Sequence, residues 1–312
     1  MRHLYYPLTG LFLLLSSFSS KVQALTFYAD ALYFKPSESV DWALTNSNIS
    51  ASITPNQQIA YKTIKFDYSP GFRVGAGIDT DPWITTLLYT HFATDTEAHT
   101  EGHVISTFMP SKFSNKFYQS GDVHFAIDVN MLDLNMKILM PIDDQLTFKP
   151  LVGIRAGTID QTINTQYQNP LDVPPATFNP ANVVEHVTND FSGIGPTVGL
   201  EGQWMLSQTY HTQWGLFADL IGAYLWGKWS IHDTLYSNNA VTGGLIVGKR
   251  DFGALTVQGF FGIQASHAHY DLKIGYEVSD WFNQYQVFDN GSGTHTNDLV
   301  FQGLTLALRY SA

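Results

Sequence analysis

Three groups of residues in this 312-residue chain have types and spacings that could do chemistry. The pair in His267-Ala268-His269 has chelating spacing, but a metal centre needs a third and usually a fourth ligand. No fitting partner stands nearby in the sequence, so no metal site is expected. Gly75-Ala76-Gly77 resembles a fragment of a dinucleotide loop, which holds phosphate on the N-terminus of a following helix. Here strand-like sequence lies on both sides, so these glycines are expected only to thin the inner side of a wall. The third group is Arg73, Asp128, Asp133, Lys137, Lys149, Arg155, Glu201, Asp219, Lys273, Glu277 and Arg309, six bases and five acids interleaved with apolar residues. Such charges could line a water-filled bore, or pair with one another and plug it. Serine, histidine and acid residues show no spacing that marks a nucleophile with its base. Neither an enzyme nor a cofactor is expected.

The elements that carry these charges are strands. Between Val123 and Asp160, Val123, Phe125, Ile127 and Val129 alternate with His124, Ala126, Asp128 and Asn130. The parity then slips at Met131–Leu132, as a bulge would make it do, and Leu134, Met136 and Ile138 alternate with Asp133, Asn135 and Lys137. After the turn residues Pro141 to Gln145, Leu146, Phe148, Val152 and Ile154 share one face, and Thr147, Lys149, Gly153 and Arg155 the other. Two limbs joined this way should pair as an antiparallel hairpin. The same alternation marks strands at Leu25–Phe34, Ile64–Ile78, Trp83–Ala93, Phe191–Met205, Gln213–Trp229, from Leu255, from Leu272 and at Leu299–Tyr310.

Composition decides what the apolar faces meet. Arg2 and His3 precede the short apolar run Leu11 to Leu15, and Val22-Gln23-Ala24 offers small residues for cleavage, so residues 1–24 read as a signal peptide. Its removal takes away Arg2 and Lys21 and leaves 14 basic side chains against 27 acidic, which argues against nucleic acid as a partner. There is no cysteine, hence no disulfide framework. Past the signal, no 18-residue apolar run offers a helical membrane span. Yet charged residues make up only 14% of the chain, matched by 14% aromatic.

Connections between strands alternate long and short, about 26, 4, 28, 5, 30, 7, 24, 5 and 10 residues, with every short one on the same end. This is the pattern of an all-β antiparallel transmembrane β-barrel with short periplasmic turns and long extracellular loops. Residues 25–312 should form about ten strands, or twelve if Gly243–Gly248 is a strand of its own. Trp83, Trp204, Trp214 and Tyr310 beside the short turns, and Tyr224, Trp226 and Trp229 toward the long loops, read as two interfacial girdles. Gly303, Leu304, Leu306, Leu308 and Tyr310 give the last strand the alternating, aromatic-ended form read by the outer-membrane insertion machinery.

Four blocks carry a family resemblance. They are Gly71 to Gly77 with Asp81-Pro82-Trp83; Leu132-Asp133-Leu134 leading to Phe148 through Arg155; Asp190 to Pro196 with Gly227-Lys228-Trp229; and Trp281-Phe282-Asn283-Gln284 with Gln302 to Leu306. In these the chain resembles the pore-forming major outer membrane proteins of the Legionella type and the related chlamydial-like type. The resemblance implies a porin-like barrel in the bacterial outer membrane. The absence of cysteine means that the disulfide-linked envelope role of the chlamydial protein does not carry over. The expected function is a passive pore for small hydrophilic solutes or ions. The alternative is a surface adhesin or structural anchor with a plugged barrel. Outer-membrane lipid and lipopolysaccharide, the insertion machinery, a second copy of the chain and a host-surface ligand are the expected partners.

Overall fold

The structure, a computed structural model, describes residues 24–38, 40–46, 59–106, 117–171, 182–237, 240–251, 253–289 and 293–312. The expected signal peptide lies outside the described residues except for Ala24, which opens the first strand. Fourteen strands follow in order: β1 (Ala24–Ser37), β2 (Asp41–Asn46), β3 (Ile59–Thr63), β4 (Ser69–Thr80), β5 (Trp83–Ser106), β6 (Phe117–Ile138), β7 (Met140–Pro141), β8 (Leu146–Leu171), β9 (Asn182–Thr209), β10 (Thr212–Ser237), β11 (Ala240–Asp251), β12 (Ala254–His267), β13 (Tyr270–Asp289) and β14 (Gly293–Ser311). Ten of them, β1, β4, β5, β6, β8, β9, β10, β12, β13 and β14, form a closed antiparallel ring. The seam is β1 on β14, with Phe27 opposite Tyr310 and Tyr33 opposite Leu304.

Closure removes the free edges of the ten wall strands and satisfies the backbone where lipid cannot. On the outside, Val74, Leu87, Leu134, Ile154, Val198, Leu220, Ile263 and Leu306 are exposed, an apolar band around the ring. On the inside at the same level sit Arg73, Asp133, Arg155, Glu201 and Glu277, all buried. Apolar outside and polar inside is the order that lipid imposes.

The expected bulge at Met131–Leu132 does not exist. Register between β6 and β8 runs unbroken from Tyr118 opposite Pro170 to Lys137 opposite Leu151. What changes at that point is the surroundings of the strand. Below it Leu132 and Leu134 point out into lipid, whereas above it Val123, Phe125, Ile127 and Val129 point inward and are buried. The backbone keeps its pleat while the apolar residues move from the outer face to the inner one. A row of outward aspartates, Asp128 opposite Asp160 and Asp160 opposite Asp190, marks the water side of this boundary. Carboxylates in those positions would be costly within hydrocarbon.

Above the boundary the strands continue into stretches that read as polar loop. Between Gln161 and Leu171 the inner positions Gln161, Ile163, Thr165 and Tyr167 are buried while Thr162, Asn164 and Gln166 face out. Their Asn/Thr/Gln-rich outer face hid the period. The short connections do lie at one end, at Asp81-Pro82, Ile142–Gln145, Tyr210-His211 and Ala268-His269, together with the C-terminal residues. The expected extra strand around 243–248 is real as β11, but it is no separate wall element. It pairs with the upper part of β10, from Ser237 opposite Ala240 to Lys228 opposite Asp251, and β12 continues along the same edge from Leu225 opposite Ala254. Ten strands therefore stand.

The aromatic girdles need one correction. Trp83, Trp204, Trp214, Tyr310, Tyr224 and Trp226 are exposed on the outer face, but Trp229 points inward and is buried against Phe191, with ring centroids 4.7 Å apart. Phe191, Trp229, Trp281, Phe34, Phe92 and Phe301 belong to an apolar cluster that fills the upper bore. In the mouth above them β2 hydrogen-bonds to β5, and the buried Trp42 accepts a 2.7 Å hydrogen bond on its carbonyl from the Tyr167 hydroxyl.

Candidate functional site

The lumen is the site, and its charges come from alternate positions of facing strands. Arg73 on β4 donates through Nη2 to Glu277 Oε1 on β13 at 2.6 Å, through Nη1 to Asp30 Oδ2 on β1 at 3.1 Å, and through Nε to Thr90 on β5 at 3.1 Å. Glu277 also accepts from Gln258 at 2.7 Å and from Thr305 at 2.7 Å. Gln258 in turn accepts from Arg155 at 2.9 Å, and Arg155 Nε donates to Asp133 at 2.6 Å. The result is a hydrogen-bonded bar from β1 and β4, through β13 and β12, to β8 and β6. With Thr90 on β5 and Thr305 on β14, eight strands are thereby joined across the bore.

Toward the short-turn end the bore widens into a vestibule of about 170 Å³. Lys137 pairs with Glu201 there, Lys273 donates to Asp219 at 3.1 Å, and Arg309 donates to Asp79 at 2.8 Å. Lys149 donates to Gln203 at 3.0 Å, and the Lys273 ammonium also lies 4.5 Å from the centre of the Phe217 ring. Toward the other end the bar is capped by the apolar cluster, where Phe92 meets Phe301 at 5.3 Å and Phe191 meets Trp281 at 6.2 Å.

Ten of the eleven charged residues singled out in the sequence face this lumen: Arg73, Asp133, Lys137, Lys149, Arg155, Glu201, Asp219, Lys273, Glu277 and Arg309. Asp128 does not. It lies on the outer face above the lipid band, 3.9 Å from His91. Its polar neighbours His124 and Asn130 would face the lumen only if the apolar face stayed outward along the whole strand, and the boundary at Met131–Leu132 reverses that. Sequence reading passed over Asp30, Asp79 and Asp271, which complete the ion pairs of Arg73 and Arg309. Asp30 was visible opposite Phe27 and Ala29 in the first strand; Asp79 fell in the expected turn Asp79 to Pro82, and Asp271 between the expected turn Ser266 to Tyr270 and the strand from Leu272.

Of the other motifs, His267 and His269 are each engaged singly, with Thr212 Oγ1 at 3.0 Å and the Ser311 carbonyl at 2.8 Å. Among the described residues no three His, Asp or Glu side chains come together around these histidines or elsewhere. Gly75 is an inward strand position where a Cβ would run into the carbonyl oxygen of Leu87. Its role is a close approach of β4 to β5. The terminal-strand residues Leu304, Leu306, Leu308 and Tyr310 are exposed to the lipid side, and Gly303 faces in.

Comparison with solved structures returned outer-membrane barrels. The outer membrane protease OmpT from Escherichia coli is 12% identical, with 95% of this chain and 99% of that chain covered and a TM-score of 0.44. The translocator domain of the autotransporter NalP from Neisseria meningitidis is 10% identical, covering 97% and 93%, with a TM-score of 0.41. A Pseudomonas aeruginosa FadL homologue is 11% identical, covering 92% and 89%, with a TM-score of 0.28. No match was found among curated proteins. The family model described as Legionella pneumophila major outer membrane protein precursor matches residues 18–312. The closed ring, its apolar outer band and that match over nearly the whole length place the protein in the outer membrane, and the chain belongs to the Legionella major outer membrane protein family.

Proposed function

We propose that the barrel is a closed outer-membrane anchor that presents its long extracellular strands and connections to ligands at the cell surface. The observation that carries this reading is the doubly filled bore. The bar from Asp30 to Asp133 crosses it, and the Phe191, Trp229 and Trp281 cluster packs above that bar. A ten-stranded ring is narrow, and small barrels fill their interiors with side chains. Charges that satisfy one another are also poor at replacing the hydration shell of a passing ion.

One observation favours the passive pore implied by the family resemblance. The vestibule is lined by Lys149, Glu201, Asp219, Lys273 and Arg309 and offers hydrophilic solutes an entry from the periplasmic end. In that reading the apolar cluster is a gate that opens in part of the population. Single-channel recording with a reversal potential, together with liposome swelling, separates the two. The anchor reading expects rare or no discrete openings and unchanged swelling rates. Steady conductance with a measurable ion preference would overturn it in favour of the pore.

A further inference from the structure

High in the barrel, apart from the lumen bar, three inward residues stand side by side on adjacent strands. Thr165 on β8 is directly opposite Glu185 on β9, and Asp233 on β10 is opposite Val187, one inward step from Glu185. The two carboxyl groups lie close enough to interact directly. From two strands beyond β8, Ser106 at the end of β5 reaches Glu185 Oε2 at 3.5 Å. Glu185 is 0% exposed, Thr165 2% and Asp233 6%. Glu185 Oε1, Asp233 Oδ1 and Thr165 Oγ1 have no hydrogen-bond partner of regular geometry, although the Thr165 hydroxyl stands beside the Glu185 carboxyl and the Tyr167 hydroxyl.

Two buried carboxyls in contact cannot both stay ionised without compensation. A shared proton would satisfy the contact between the two groups and leave the other inward-aimed oxygens unmatched. A cation that gathers six to eight oxygens matches all of them. The donor set contains only carboxylate and hydroxyl oxygens, which selects a hard ion over a thiolate- or imidazole-seeking one. Two carboxylates balance a charge of +2.

We propose that the upper barrel binds one divalent cation of the calcium type on the oxygens of Glu185, Asp233, Thr165 and Ser106, and that this ion ties together the bases of the extracellular connections. Ser106 is the last residue of β5, Glu185 the fourth of β9, and Asp233 lies four residues before the end of β10. The ion would therefore clamp three strand ends and β8 at the rim. Sequence spacing could not reveal the set, because its members are separated by 59, 20 and 48 positions along the chain.

Terbium tests the proposal, because the tyrosine rings of Tyr167 and Tyr118, 5.6 Å apart and next to the set, can sensitise its emission. Folded protein in detergent is titrated with Tb³⁺ and then with Ca²⁺. Emission should saturate near one equivalent, be reversed by Ca²⁺, weaken at least tenfold in the Glu185→Gln, Asp233→Asn double variant and weaken several-fold in Thr165→Val. It should be unchanged in Asp128→Asn, Asp160→Asn, which removes outer-face acids only. The double variant removes the repulsion without changing shape, and a heat-modifiable gel shift reports its folding. Emission that persists in the Glu185, Asp233 double variant would assign the ion to surface carboxylates and overturn the proposal. So would a folded wild type with neither sensitised emission nor a Ca²⁺-dependent rise in unfolding temperature, which would leave a shared proton in that place.

Discussion

Arg73 and Glu277 are 204 positions apart in the chain, and their side chains meet at 2.6 Å inside the barrel. Neither strand is the other's neighbour in the ring, so the bond spans the bore instead of a sheet ladder. Arg73→Met removes the cation and leaves Glu277 and Asp30 as buried anions. Breaking one partner of such a pair costs about 3–5 kcal/mol, whereas neutralising every partner together recovers most of it. Urea titration of the refolded barrel, followed by tryptophan fluorescence, should show a large loss for Arg73→Met. The triple variant Arg73→Met, Asp30→Asn, Glu277→Gln should return near the parent. An additive loss in the triple variant would refute the pairing.

The exchange of apolar faces at the lipid boundary predicts opposite tolerances at neighbouring sites of β6. Leu134→Arg puts a charge on the lipid face and should cost about 2–4 kcal/mol. Phe125→Ala empties a buried interior position and should cost about 3–5 kcal/mol. Asp128→Leu, on the outer water-facing surface, should stay within about 0.5 kcal/mol. Equilibrium unfolding in lipid vesicles gives all three. A severe effect at Asp128 would place that residue inside the barrel.

If aromatic packing shuts the bore, removing it should change transport before it changes folding. Phe191→Ala with Trp281→Ala takes out two members of the cluster that meet at 6.2 Å. Single-channel openings should become frequent in this variant relative to the parent. A parent that already conducts, with the variant unchanged, would place the closure elsewhere.

On the outer surface, the His99 imidazolium donates hydrogen bonds to Asp122 and then Glu101, which raise its pKa above the usual histidine value. A raised pKa in the folded state means stabilisation that is fully present below the unfolded value and lost as pH rises through the folded one. Asp122→Asn should lower the His99 pKa toward 6.5, the ordinary histidine value. An imidazole NMR titration reads this directly, and an unchanged midpoint would show that Asp122 does not hold the ring.

Period-two alternation was enough to read the barrel class, the β6–β8 pairing, the short-turn end and the inward position of ten of the eleven charges singled out, because a strand between lipid and a polar bore has only two faces to fill. The same reasoning produced a bulge that is absent and placed Asp128 inside. A parity slip in hydrophobicity has two causes, an inserted residue or a change in what lies outside the wall, and one strand cannot distinguish them. Trp229 went to the wrong face for the same reason. Only the closed ring shows which surroundings each level meets, and only closure brings Arg73 to Glu277 and Ser106 to Glu185. Alternation is local and is written into the chain. Contacts across the bore depend on strand number, stagger and which wall faces which, and these are fixed only when the last strand pairs with the first.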